Sequence, residues 1–345
     1  MNNGLNIYLA PFQGVTLHTF RRIYARHFKG VTRFYTPFFA KIDTDVKISD
    51  RKEKELQHID IPGTVVVPQI LSKDAAEILR FARICQSRGF NELNWNLGCP
   101  HPQVADKKRG SGMLPFPDMV DSILNDVFSR IEIRFSVKCR LGYENPNEIL
   151  KLVPVFNRYP VSEITLHGRT GRQLYGGIAD KTKVAEVAAL LNSPVVHNGD
   201  IMNVSDYVAA KSLIPDVDRW MIGRGILCDP FLPERLLKFT TQTSELRGLT
   251  TSQRGMYSQK DMRSACMLES ENTAEYRKSL QRFLDDLYFG YRRDMNDRLS
   301  ILNILKEYWD YLADWFPHPD AVLRHIKKTK TFDEYEDGVK RIFDL

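Results

Sequence analysis

Cysteine is scarce in this chain of 345 residues: Cys85, Cys99, Cys139, Cys228 and Cys266 are odd in number, widely spaced and without a Cys-x-x-Cys. That excludes a disulfide framework and a paired-thiolate zinc site, and it points to a reducing compartment. Long apolar runs are missing too. No segment reaches the ~18 unbroken apolar residues of a membrane span, and the opening MNNGLNIYLAPF lacks the basic region of a secretory leader. The expectation is a cytoplasmic protein, read as a monomer. The eight histidines include no His-x-x-x-His, and neither a Walker loop nor Gly-x-Ser-x-Gly occurs. Zinc hydrolase, phosphate-loop and serine-hydrolase chemistries are therefore disfavoured, and no metal is expected. Strong charge of one sign is also lacking. The formal net charge is +6, and residues 275–345 hold 13 basic against 14 acidic side chains, so the excess lies in the first 274. That permits a polyanionic partner without establishing one.

What is present is alternation. Eight β-rich runs recur: Ile7–Ala10, Arg33–Pro37, Thr64–Gln69, Glu92–Asn96, Ile133–Cys139, Glu163–His167, Pro194–His197 and Arg219–Ile222. Between most of them lie stretches of helical period or composition, from Leu17–Phe28 to Val204–Lys211. Parallel βα units repeated in this way predict an α/β fold, a (β/α)₈ TIM barrel over residues 1–240, with chemistry at the C-terminal ends of the strands. Residues 241–274 lose clear periodicity and read as a linker or irregular segment. Beyond them Leu280, Phe283, Leu284, Leu287, Tyr288 and Tyr291, then Leu302, Leu305, Tyr308, Trp309 and Leu312, repeat at helical spacing. A small helical domain over 275–345 is expected.

The most informative segment runs from Asn94 through NWNLGCPHPQV to Arg109-Gly-Ser-Gly-Met-Leu114. A strand ends near Asn96, Gly98 and Pro100 restrict the backbone around Cys99, and a loop follows that is closed by Gly110 and Gly112. On these residues alone Cys99 is either a buried structural thiol or a functional one, and its place at a strand's C-terminal end favours function.

This segment resembles the signature of the tRNA-dihydrouridine synthase family, Asn-x-Gly-Cys-Pro followed by a glycine-containing loop. The resemblance extends to Val137–Gly142, Leu166–Thr170 with Gln173 and Tyr175, Val196–Asp200 and Met221–Gly225, in the family's order. Asn94 departs from the common Asp. The resemblance implies an FMN-bearing barrel with a helical domain that helps hold RNA. It implies reduction of the uracil C5=C6 bond, with NADPH reducing the flavin. FMN contacts are expected from Ala10, Pro11, Phe12, Gln69, Lys138, His167, Asn198, Gly199, Asp200, Gly223 and Arg224. Cys99 is expected to give the proton to C5, because a thiol is mostly protonated at neutral pH. Asn96, Lys107, Lys108, Arg109, Arg140 and Arg169 are expected to meet substrate RNA, with Arg292, Arg293, Lys327, Lys328 and Lys330 extending the track. The partner implied is tRNA, with ribosomal RNA the open alternative. Two rivals share parts of this pattern: an FMN barrel acting on a free pyrimidine or other small molecule, and a flavin-free RNA-binding module.

Overall fold

The computed structural model describes residues 5–42, 48–247 and 274–344. Its strands are β1 (Asn6–Leu9), β2 (Val31–Tyr35), β3 (Val65–Val67), β4 (Gln69–Ile70), β5 (Glu92–Leu97), β6 (Arg134–Gly142), β7 (Ile164–Thr170), β8 (Val195–Asn198) and β9 (Arg219–Ile222). They form one parallel sheet in the order β3-β2-β1-β9-β8-β7-β6-β5-β4. The two ends of that order are consecutive pieces of a single strand, divided at Pro68, which has no N–H to give to a ladder. The sheet therefore closes on itself as an eight-stranded barrel. Bonds on both sides of the seam hold it, from the Asn94 N–H to the Pro68 carbonyl and from the Thr36 N–H to the Val67 carbonyl. The TIM barrel expected from the alternation is present, with each strand within a few residues of its expected limits.

Helices cover the barrel: α1 (His18–His27), α2 (Asp50–Glu55), α3 (Ala75–Ser87), α4 (Pro102–Ala105), α5 (Pro117–Phe128), α6 (Glu148–Phe156), α7 (Lys181–Ala188), α8 (Val204–Leu213), α9 (Arg224–Cys228) and α10 (Leu232–Arg247). Short polar side chains start several of them. Asp74 accepts the Ala76 N–H, Asp180 that of Lys183 and Asn203 that of Asp206. Helix α10 corrects one expectation, since it continues through residues 241–247 where an irregular segment was anticipated. Within it the hydroxyls of Thr240, Thr241 and Thr243 find their acceptors in the helix itself, on carbonyls of the preceding turn. Residues 248–273 lie outside the described residues.

Four further helices follow, α11 (Ala274–Asp294), α12 (Arg298–Leu312), α13 (Pro319–Lys327) and α14 (Phe332–Asp344). An aromatic cluster joins them to the barrel. Phe283 lies 4.9 Å from Phe28 and 6.1 Å from Phe20, and Tyr308 lies 5.2 Å from Phe20. Asp294 accepts from Thr19 and Arg22 of α1 at the edge of this contact. The consequence for function is that α12 reaches the barrel mouth with Glu307 and Tyr311.

Alternate residues of each strand face the barrel interior. Near the N-terminal end these are charged: Arg33 reaches Glu92 and Glu163 at 3.0 Å each, and Arg219 reaches Glu163 at 3.1 Å. The Tyr8 hydroxyl crosses the interior to Glu163 at 3.0 Å. Above them sits an apolar layer that includes Tyr35, Val67, Val196 and Met221.

Candidate active site

At the C-terminal ends of the strands a cleft of about 300 Å³ opens between the barrel and α12. Ala10, Pro11, Phe12, Gln69, Asn96, Cys99, Lys138, His167, Asn198, Gly199, Asp200, Gly223 and Arg224 line it, most of them delivered by a strand's end or the turn that follows, and Lys138 and His167 by the middle of the longer β6 and β7. Four of the five cysteines fall among the described residues, and Cys99 is the one of those four that lines the cleft.

The turn at Cys99 is held from three sides. The Asn96 Oδ1 accepts the N–H groups of Gly98 at 3.0 Å and Cys99 at 2.9 Å. Ser111 donates to the Cys99 carbonyl through its N–H and its hydroxyl, and Arg140 Nε donates to the Gly98 carbonyl at 2.9 Å. Every backbone polar group of residues 98 and 99 is thus claimed, and Cys99, a free and only partly buried cysteine, lines the cleft. Burial raises the Cys99 pKa above the ordinary thiol range, against the opposing pull of the His101 N–H and the Arg140 and Lys138 charges. The group is a neutral thiol at physiological pH.

Lys138 rises from β6 into the same cleft and donates to Asn198 Oδ1 at 2.9 Å. Burial first, then the Arg140 charge, brings it down to about 8. Among the described residues it forms no ion pair with a carboxylate, so at neutral pH it is a mostly charged amine without a counter-anion. His167 is held well below its ordinary value by burial and by the cations Lys138, Arg140 and Arg169, and is neutral. Gly223 is the N-cap of α9, and the N–H groups of Arg224 and Gly225 have no acceptor within that helix. A side chain at Gly223 would strike the Phe12 ring at 2.7 Å, so glycine keeps this wall of the cleft open.

Several of the expected site residues line the cleft and are also heavily engaged with the protein itself. Arg169, expected to meet RNA, is 2% exposed and spends all five donors internally: on the Gly176 and Gly177 carbonyls, on His167 Nε2 and on both Asp200 oxygens. Arg140, given the same expectation, is equally buried and donates to the carbonyls of Gly98, Thr170 and Leu174. Both are braces beneath the loop that carries Tyr175. Asn96 is also spent mainly on structure, through its bonds to the Cys99 turn and to Gln69. Asp200, expected at the cofactor, accepts from Arg169, Arg224 and the Ala179 N–H. Burial acts to raise its carboxyl, but these partners outweigh it and hold the group below the usual carboxylate range. Lys107 and Lys108 are exposed, Arg109 is half-buried, and none of the three lines the cleft; Lys108 lies 4.2 Å over the Phe116 ring.

The sequence reading did not single out Glu307 and Tyr311 as site residues, and it gave Tyr175 no role of its own. Tyr311 meets Phe12 edge-on at 5.6 Å, and the Tyr175 ring lies against both Arg140 and Arg224, at 5.5 and 5.7 Å. Among the described residues no group of three or more His, Cys, Asp or Glu side chains is placed to hold a metal, and no helix is long and apolar enough to cross a membrane.

A family model described as dihydrouridine synthase matches residues 8–297. A protein named tRNA-dihydrouridine synthase B from Pasteurella multocida is 31% identical over 235 residues, which is 66% of this chain and 67% of that protein. The protein of the same name from Escherichia coli strain K12 is 31% identical over 233 residues, 65% of this chain and 68% of its own.

Proposed function

Because the chain belongs to the dihydrouridine synthase family, we propose that it reduces the C5=C6 bond of uridines in tRNA to give dihydrouridine, with FMN as cofactor and NADPH as reductant. The observation that carries the reading is the free Cys99 thiol, fixed by its clamped backbone at the wall of a cleft that also holds Lys138.

The donors of the cleft suit a flavin mononucleotide. Arg224 and the open N–H groups at the start of α9 would hold its phosphate. Lys138 would lie at the flavin's pyrimidine edge, donating to its acceptors there and stabilising the negative charge that gathers on that edge on reduction. Ala10, Pro11 and Phe12 would form the floor under the ring. When bound, FMN reduced by NADPH supplies a hydride to C6 of the uracil ring. The protein's part is the proton. Cys99 delivers it from Sγ to C5, and the resulting thiolate is stabilised by Lys138 and Arg140 until it takes a proton back from water. Neutral His167 would donate or accept a hydrogen bond without adding charge.

A uridine stacked in RNA cannot reach such a cleft, so it must be extruded or drawn from a loop. The exposed Lys107 and Lys108 beyond the Cys99 turn, and Arg292 and Arg293 at the end of α11, would take phosphates on either side. The test is direct. Purified protein should carry FMN, and unmodified tRNA with NADPH should acquire dihydrouridine at sites that are unmodified in cells lacking the gene. A colourless protein that binds tRNA, or a flavoprotein that reduces free pyrimidines and ignores tRNA, would overturn the reading.

A further inference from the structure

Beneath the Cys99 turn a run of five hydrogen bonds crosses the barrel interior. The Cys99 N–H donates to Asn96 Oδ1 at 2.9 Å, Asn96 Nδ2 to Gln69 Oε1 at 2.7 Å, Gln69 Nε2 to Asn94 Oδ1 at 2.8 Å, Asn94 Nδ2 to Ser136 Oγ at 3.0 Å and Ser136 Oγ to Glu92 Oε1 at 2.8 Å. All five side chains are buried, Gln69 and Asn94 completely. Glu92 lies at the opposite end of the barrel, paired with Arg33 at 3.0 Å and Arg134 at 3.3 Å.

The direction of this run is fixed from both ends. A backbone N–H can only donate, so Asn96 must turn its oxygen to the Gly98 and Cys99 amides and its nitrogen to Gln69. An ionised carboxylate can only accept, so Ser136 must point its hydroxyl hydrogen at Glu92 and receive Asn94 on its lone pair. Each carboxamide between them then has one orientation that satisfies both neighbours. In a buried network, a single reversed member leaves donor facing donor or acceptor facing acceptor.

We propose that Glu92, Ser136 and Asn94 are positioning residues for the Cys99 turn: acting through Gln69 and Asn96, they set the height and angle at which the thiol meets the substrate ring. The proposal rests on the reading of Cys99 as proton donor. None of the three lines the cleft, so their effect reaches it only through the two carboxamides.

The experiment compares Ser136→Ala and Asn94→Leu, which leave the upper carboxamides with no fixed orientation, with Asn94→Asp, which also loses the bond to Ser136 but accepts from Gln69 on either carboxylate oxygen and so preserves the upper part without needing its orientation set. With FMN, NADPH and unmodified tRNA, Ser136→Ala and Asn94→Leu should lose roughly a hundredfold in kcat, the scale of a displaced catalytic group, with little change in KM for tRNA. Asn94→Asp should keep most of the rate. Independently of activity, side-chain amide protons of Asn96 and Gln69, observed by NMR in the full chain labelled at Asn and Gln nitrogen, should exchange about tenfold faster in Ser136→Ala than in the unaltered protein. Equal losses in Asn94→Asp and Asn94→Leu, normal kcat in Ser136→Ala and Asn94→Leu, or unchanged amide exchange would overturn the proposal. If Ser136→Ala does not fold, the two Asn94 variants carry both measurements. Should the unaltered protein reduce no uridine at all, the functional reading fails, and positioning is then decided by the exchange rates alone.

Discussion

Arg169 grips both oxygens of Asp200, at 2.9 and 2.7 Å, and Asp200 in turn holds Arg224 at 2.9 Å. The carboxylate therefore sits between an arginine that is wholly internal and one that is 35% exposed at the cleft. On the proposed function this pairing would aim Arg224 at the FMN phosphate. Asp200→Asn keeps the shape but removes the charge and one acceptor, leaving the buried guanidinium with an unmet donor at a cost of about 1–3 kcal/mol. The expected outcome is a protein that melts several degrees lower and loses FMN on gel filtration. Full FMN retention would show that Arg224 needs no such guide.

Cys99→Ala should leave FMN content and NADPH oxidation nearly intact, while dihydrouridine formation falls by roughly a hundredfold or more, the usual worth of a positioned acid. The pH dependence follows from the direction of the thiol shift. An acid works while protonated, and burial raises Cys99, so the rate should hold through neutral pH and fall only above the ordinary thiol value of about 8.5. Single-turnover reduction of tRNA across that range measures the limb. A decline beginning at acidic or neutral pH would assign the proton to another group.

Much of this was legible in the chain, for identifiable reasons. Barrel strands announce themselves because short β-branched runs alternate with amphipathic helices, and the Asn96 to Pro100 turn because glycine and proline flank a cysteine. The helix Asp50–Glu55 escaped because DRKEKE has no apolar stripe. Glu307 and Tyr311 escaped because only the docking of α12 against the barrel brings them to the mouth. The burial of Arg140 and Arg169, which line the cleft while bonding internally, was not foreseen because charge in a sequence suggests solvent. A better signal was available: each follows a site residue at a spacing of two along its strand, Lys138 then Arg140 and His167 then Arg169, which places both on the barrel's inner face.

Lys138 supplies a prediction on cofactor affinity. Without a bound anion its pKa is about 8, and an anion beside it favours the charged form. The acceptors of the flavin's pyrimidine edge likewise favour the charged amine, so binding takes up a proton as the pH nears and passes that value, and FMN affinity should weaken as pH rises from neutral into the mildly alkaline range. Lys138→Met keeps the stem and removes the charge. It should bind FMN roughly tenfold to a hundredfold more weakly, the worth of a hydrogen bond to a charged group, and show a flat profile over the same range. Fluorescence titration of FMN against both proteins reads the two effects, and parallel profiles would exclude Lys138 as the responsible group.

Gly110 tests the clamp on the thiol from above. Its φ of +55° is the left-handed conformation in which a side chain is strained, and an added Cβ would lie 2.6 Å from the Cys99 carbonyl oxygen. That oxygen is the one that accepts from the Ser111 N–H and hydroxyl. The carbonyl is part of the Cys99–Pro100 peptide, so with the Cys99 N–H held by Asn96 it can yield only by turning that unit about the Cα–C bond of Cys99, at the expense of the Ser111 bonds. Gly110→Ala should therefore cost about 1–3 kcal/mol of stability and lower kcat for uridine reduction, while FMN affinity, which depends on groups across the cleft, stays as it was. Circular-dichroism melting, FMN titration and single-turnover kinetics on one preparation separate the three effects. Loss of FMN in parallel with kcat would mean that the strain spreads through the whole cleft rather than staying in the turn.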